Sequence, residues 1–137
     1  MSVKTIRLQE TLDYPTDVIW SIISDITRSD WVPSVDTITA EGNIRSFVMA
    51  GIGEVQEKIL ALDHDKLRLQ YSAIKTPSMV AHHLATLQLR PVGGRTEVTW
   101  TTEIEPDEFA PAIEHGMRIS LQGLQAVLAS PPGKPDP

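Results

Sequence analysis

Apolar positions recur along the chain with two different periods, and the switches between them mark out the elements. From Ser2 to Tyr14 the alternation is that of a strand, with Ile6, Leu8 and Leu12 on one face and Arg7, Gln9 and Thr11 on the other. Pro15-Thr16-Asp17 breaks the strand and opens a helix, with Thr16 as its expected cap and Asp17 where the helix dipole favours a carboxylate. Val18, Ile19, Ile22, Ile23 and Ile26 then form an apolar stripe at helical spacing, with Trp20 beside it. A second short helical piece is predicted over Thr27 to Val35, ended by Pro33.

From Asp36 to Pro106 the period becomes two. Six strands are predicted: Asp36 to Glu41, Ile44 to Ala50, Glu54 to Asp63, Lys66 to Ile74, Val80 to Arg90 and Arg95 to Glu105. Turn signals separate them, of which Gly93-Gly94 suits a tight two-residue hairpin. Pro106 stops the last strand, and Phe109 to Ala129 reads as one long helix with a stripe of Phe109, Ile113, Met117, Leu121, Leu124 and Leu128. Ser130 to Pro137, with its four prolines, is expected to be a disordered tail.

One strand, two short helices, a six-stranded meander and a long terminal helix make an α+β domain, residues 1–129, with helices on one face of an antiparallel sheet. A seven-stranded sheet curls as its strands twist, so a cavity is expected between its concave face and the long helix. The chain has 137 residues, enough for one such core without staples. It has no cysteine, which excludes disulfides and thiolate chemistry. Its net charge of −6, with no Lys/Arg cluster, argues against nucleic acid and against an anionic membrane surface. With no apolar run of signal-peptide or membrane-spanning length, the expected location is cytoplasmic, without membrane insertion.

Several stretches resemble the START-like (SRPBCC) superfamily with its helix-grip fold, and within it the polyketide cyclase/dehydrase-type proteins. They are residues 18–25, Trp31-Val32-Pro33, Gly51-Ile52-Gly53, residues 57–63, Leu69-Gln70-Tyr71 and residues 96–100. The resemblance spans residues 3 to 129. It implies a curved seven-stranded antiparallel sheet around a long C-terminal helix, a small hydrophobic or aromatic ligand in an internal cavity, no cofactor, and a homodimer as an open option. It also turns Val55, Glu57, Ile59 and Ala61 inward, because that glutamate position faces the pocket in related helix-grip receptors.

Strand parity selects the other inward positions. They are Ala81, His83, Ala85, Leu87 and Leu89; Leu67, Leu69, Tyr71 and Ala73; and Val98, Trp100, Thr102 and Ile104. Phe47 and Met49 bring Arg45 with them, and Ile38 and Ala40 bring Asp36. A single β-bulge inverts such an assignment downstream of it. The expected wall is then Phe47, Met49, Ile59, Trp100, Ile104, Ile113, Met117 and Leu121. Gly116, inside the long helix, either leaves room for a ligand or sits on a solvent face.

Glu57 is the first candidate for acid/base chemistry, or else a structural carboxylate paired with Arg45. His83 can shuttle a proton or act as a core histidine bonded to Tyr71 or a carbonyl. Tyr71 can polarise a substrate carbonyl or simply form wall. Asp36 and Arg45 are ligand-binding candidates, although Asp36 can equally just begin its strand. His82 and His83 are adjacent on a strand and face opposite ways, so they cannot chelate one metal, and no metal site is predicted. Three functions fit: a lyase-like cyclase or dehydrase acting on a polyketide-like substrate without cofactor, a carrier or sensor of a lipophilic metabolite, and an interaction domain with a filled core.

Overall fold

The computed structural model describes residues 2–130, so the predicted proline-rich tail, apart from Ser130, lies outside the described residues. Seven strands are present: β1 (Lys4–Leu12), β2 (Val35–Glu41), β3 (Ile44–Met49), β4 (Gly53–Asp63), β5 (Arg68–Lys75), β6 (His82–Val92) and β7 (Arg95–Glu105). Helix α1 (Thr16–Ile23) follows β1, and α2 (Ala110–Ala129) ends the fold after a 3-10 turn at Asp107–Phe109. The strands form one sheet in the order β1-β7-β6-β5-β4-β3-β2, antiparallel throughout. This is the α+β arrangement that the order of elements predicts, and the helix-grip fold that the resemblance implies. Gly93 and Gly94, at φ +56° and +83°, close the β6–β7 hairpin in a backbone region that suits residues without Cβ.

The predicted second helix does not form. The chain from Asp25 to Val35 makes three successive i→i+3 turns, in which the amides of Arg28, Val32 and Val35 donate to the carbonyls of Asp25, Ser29 and Val32. Asp25 Oδ1 accepts from both the amide and the hydroxyl of Thr27, offering the backbone a local alternative to helix, and Pro33 prevents extension. Thr16 does not cap α1 either. Pro15 takes that place, and the Thr16 hydroxyl bonds instead to Thr96 Oγ1 at 2.9 Å, tying the helix start to β7. Val18, expected in the stripe, is exposed.

The core lies between the concave face of β1, β5, β6 and β7 and the two helices. Ile19, Ile23, Leu69, Leu87, Ile104 and Leu124 are each under 2% exposed, and each contributes roughly 1.5–3 kcal/mol by leaving water. α2 packs on β1 and β7, and α1 packs on β6 and β7. The turn segment 25–34 also lies on this face: the Ile26 carbonyl accepts from Arg45 on β3, and the Trp31 ring lies against Trp100 on β7.

Two bulges reverse predicted orientations. The register shift between Ile59 and Ala61 sets Ala61 opposite Gln70 and Leu62 opposite Leu69. Directly opposed residues share a face, so Ala61 is turned outward. The shift between Val35 and Ile38 gives the inward place opposite Met49 to Val35 and leaves Asp36 exposed. Ala81 is also exposed, because β6 starts at His82, two residues later than predicted. Leu67 precedes β5 in a left-handed turn at φ +56° and only borders the core.

Candidate functional site

A polar cluster is embedded in the concave face where β3, β4, β5 and β6 meet it. Arg45 and Glu57 are direct cross-strand partners on β3 and β4, so the pleat delivers both side chains to the same side. Arg45 Nε donates to Glu57 Oε1 at 2.8 Å, and each side chain is only 12% exposed. A further guanidinium N–H of Arg45 reaches the Ile26 carbonyl at 3.3 Å. The guanidinium also covers the Tyr71 ring, 4.7 Å from its centroid, a cation–π contact strengthened by its removal from water. Arg45 and Tyr71, turned inward by strand parity, thus meet Glu57, turned inward by the resemblance, with Ile59 buried directly opposite Tyr71.

Burial raises the Glu57 carboxyl above the ordinary glutamate range, and the charge and hydrogen bond of Arg45 offset only part of that rise. Burial likewise pushes the Tyr71 phenol up, with the Glu57 charge adding to it. Tyr71 is thus a neutral hydrogen-bond donor at any ordinary pH.

His83 occupies an unusual place. The β5–β6 ladder ends at the pair Tyr71↔Ala85. Beyond it, the His83 imidazole Nδ1 accepts from the Ala73 amide at 2.9 Å, and the Ser72 hydroxyl donates to the His83 carbonyl. Side chains replace the ladder here. An acceptor Nδ1 puts the ring proton on Nε2. Burial, and then the charge of neighbouring His82, lower His83 to about 4. Its ring centroid lies 6.1 Å from that of Tyr71. His82 points to the other face, as predicted, where Nε2 meets Glu103 Oε1 at 2.9 Å.

Trp100, on β7, completes the cluster. Its Nε1–H is fully buried and has no hydrogen-bond partner among the described residues. The Tyr71 phenol lies beside it, and the indole N–H opposes the rise in the phenol's pKa, although the pair does not meet hydrogen-bond geometry. Trp31 packs against the same indole at 5.9 Å between centroids, with the rings tilted by 53°.

The predicted apolar wall divides in two. Ile59, Trp100, Ile104, Met117 and Leu121 belong to the packed core, and Ile113 borders it. The Thr102 hydroxyl donates to Met117 Sδ within that core at 3.4 Å. Phe47 and Met49 are half-buried at the other end, beside Val35 and Val55. Gly116 is exposed, and a Cβ there would meet nothing within 4 Å, so it is a solvent-face glycine.

Concavities open at the surface, one beside the sheet and one beside α2. One, of about 250 Å³, lies in the β5–β6 gap and is lined by Leu60, Ser72, Ala73, His82, His83 and Leu84 among others. The second, of about 540 Å³, is a groove between β1 and α2 whose lining includes Lys4, Ile6, Ala110 and Arg118. The trough expected to be hollow between sheet and helix is occupied by Met117, Leu121, Leu124 and the α1 isoleucines, all members of one cluster. Among the described residues no three His, Asp or Glu side chains gather as a metal set, and no helix is long and apolar enough to cross a membrane.

The sequence offered Trp31 only as part of a stretch that carries the resemblance, and showed neither its contact with Trp100 nor the partnerless N–H of Trp100. Both depend on how the turn segment folds back over the sheet, and only the large aromatic in a Pro-terminated stretch hinted at it.

Comparison with known families matches residues 4–129 to one described as "Polyketide cyclase / dehydrase and lipid transport". No curated protein matches the chain. Among solved structures, an uncharacterized protein from Bacillus thuringiensis is similar at TM-score 0.83 and 17% identity, covering 93% of this chain and all of its own. Protein XoxI from Bacillus cereus is similar at TM-score 0.78 and 21% identity, over 93% of this chain and 95% of that one. The Zhui aromatase/cyclase from Streptomyces sp. R1128 is similar at TM-score 0.80 and 17% identity, over 92% and 93%. At these identities the likeness is one of fold.

Proposed function

Because this chain belongs to the polyketide cyclase/dehydrase and lipid transport family, we propose that it holds a small, largely apolar molecule bearing an acceptor oxygen against the concave face of its sheet. The observation that carries this reading is the buried Trp100 N–H without a partner beside the Tyr71 hydroxyl. A buried donor left unpaired costs about 1–3 kcal/mol. A ligand carbonyl or phenol oxygen reaching Trp100 and Tyr71 removes that cost. The half-buried Phe47 and Met49 offer apolar surface on one side of the same face.

The protonation states favour holding over turnover. His83 already spends Nδ1 on Ala73, and at about 4 it is a poor base near neutrality. Tyr71 stays protonated and donates. Arg45 and Glu57 neutralise each other and orient the Tyr71 ring. The role this supports is that of a carrier, sensor or sequestering protein for a lipophilic metabolite.

A second reading, cyclisation or dehydration of a polyketide-like substrate, draws on the aromatase/cyclase of similar fold and on Glu57. A carboxyl held above its ordinary range can retain a proton to give to a leaving hydroxyl. Native mass spectrometry of protein from its own host, with Trp100→Phe alongside, tests the binding reading. A co-purified small molecule lost or weakened in the variant is expected. Equal retention by Trp100→Phe overturns the assignment of the site. Turnover of a poly-carbonyl substrate abolished in Glu57→Gln selects the second reading over the first.

A further inference from the structure

The turn segment between α1 and β2 touches both ends of the polar cluster. Its Ile26 carbonyl accepts from Arg45 at 3.3 Å, and its Trp31 ring lies on Trp100. Trp31 is only 7% exposed although it belongs to neither a helix nor a strand. The segment is fastened at its β2 end, where Ser29 Oγ donates to the Asp36 carbonyl at 2.7 Å and the Ala50 amide donates to the Ser34 carbonyl at 2.8 Å.

Its third anchor is a missing side chain on α2. A Cβ added at Gly123 would lie 2.3 Å from the Trp31 carbonyl oxygen and 3.2 Å from Pro33 Cδ. No other residue type fits there with the segment in place. Gly116, two helical turns earlier, has open space around it. A glycine in mid-helix costs about 1 kcal/mol relative to alanine, and at Gly123 the close approach of the Trp31 backbone accounts for it.

We propose that Trp31 is a built-in occupant of the ligand site: its indole takes the position on Trp100 that a planar aromatic ligand takes when the segment swings out, and Gly123 sets the closed position. This rests on the binding reading above and narrows its ligand class to planar aromatics of about indole size carrying an acceptor oxygen. Trp31 supplies the apolar contact but no acceptor to Trp100 Nε1, and that N–H has no hydrogen-bond partner among the described residues in the closed form. Binding then competes with an internal aromatic ring, so the apparent affinity falls by the fraction of molecules that are open.

The test is calorimetric titration of 2-naphthol, a bicyclic aromatic with one oxygen, into the wild type, Trp31→Ala, Gly123→Ala and Gly116→Ala. The two alanine substitutions in α2 add the same methyl to the same helix, and only the one at 123 meets the segment. Trp31→Ala and Gly123→Ala are each expected to bind about tenfold tighter or more, with Gly116→Ala unchanged. If Trp31→Ala fails to fold, as judged by circular dichroism, Gly123→Ala decides. Wild-type binding that neither variant tightens overturns the occupant role and leaves the binding site standing. No binding by any of the four, with the Trp100 indole N–H resonance unmoved, overturns both.

Discussion

The place of His83 in the sheet fixes a pH dependence of stability. Its Nδ1 accepts from the Ala73 amide, so protonation at Nδ1 must break that bond and place a charge in a buried site beside His82. The folded-state value is therefore lowered, from 6.5 to about 4. In the unfolded chain the ring titrates near its ordinary value. The folded state gains from this above the unfolded value and loses the gain as pH falls toward the folded one. Each unit of difference is worth about 1.4 kcal/mol, so the loss between neutrality and pH about 4 is about 3 kcal/mol. Urea unfolding at successive pH values, followed by tryptophan fluorescence, measures it against His83→Gln, whose amide oxygen can still accept from Ala73. Groups common to both proteins cancel in the difference. The wild type's stability relative to the variant is expected to fall by about 3 kcal/mol from pH about 7 to about 4. A difference flat across that range would refute the argument, because His83 would then titrate as an exposed histidine.

Glu57 has the opposite sign. Its folded value is raised by burial, so its contribution is present below the ordinary glutamate range and is lost as pH rises; relative to Glu57→Gln, the wild type gains stability on acidification, measurable in the same urea series. Glu57→Ala leaves Arg45 buried and unpaired and is expected to cost about 3–5 kcal/mol, whereas joint replacement of Arg45 and Glu57 by Met and Leu costs far less; a double-mutant cycle checks this. Thr96 is fully buried, donates to the Tyr14 carbonyl at 2.8 Å and meets Thr16, so Thr96→Val is expected to lose about 1–3 kcal/mol by denaturant unfolding. Gly116→Ala, on an exposed helix face with free space, is expected to stabilise by up to about 1 kcal/mol, seen as a higher midpoint.

The strands and their inward faces were readable wherever one side of the sheet is fully buried. Leu69, Leu87, Leu89, Val98 and Ile104 alternate with polar neighbours, and a slip of one residue would expose them all. The same alternation carried Arg45 and Tyr71 to Glu57. What stayed hidden depends on backbone irregularity. Nothing in the residue types at 36–37 or 60–61 announces a bulge, yet one exposes Asp36 and the other turns Ala61 outward. The helical stripe of Val18 to Ile26 continues past the point where Asp25 captures the Thr27 amide and ends the helix. Met117 and Leu121 have the same apolar spacing whether they border a cavity or fill it, and here they fill it. Trp31 over Trp100 and the seat for its carbonyl at Gly123 are contacts between distant parts of the chain, invisible to local pattern.

In the proposed binding role, the indole N–H of Trp100 awaits an oxygen from outside the protein. Nitrogen-15 correlation spectra, with the three tryptophan indole signals assigned by single substitution, read it directly. Titration with aromatic phenols and ketones is expected to move the Trp100 N–H downfield saturably, and Tyr71→Phe is expected to weaken that response. Saturable binding of such compounds that shifts other resonances while leaving Trp100 in place would contradict the account.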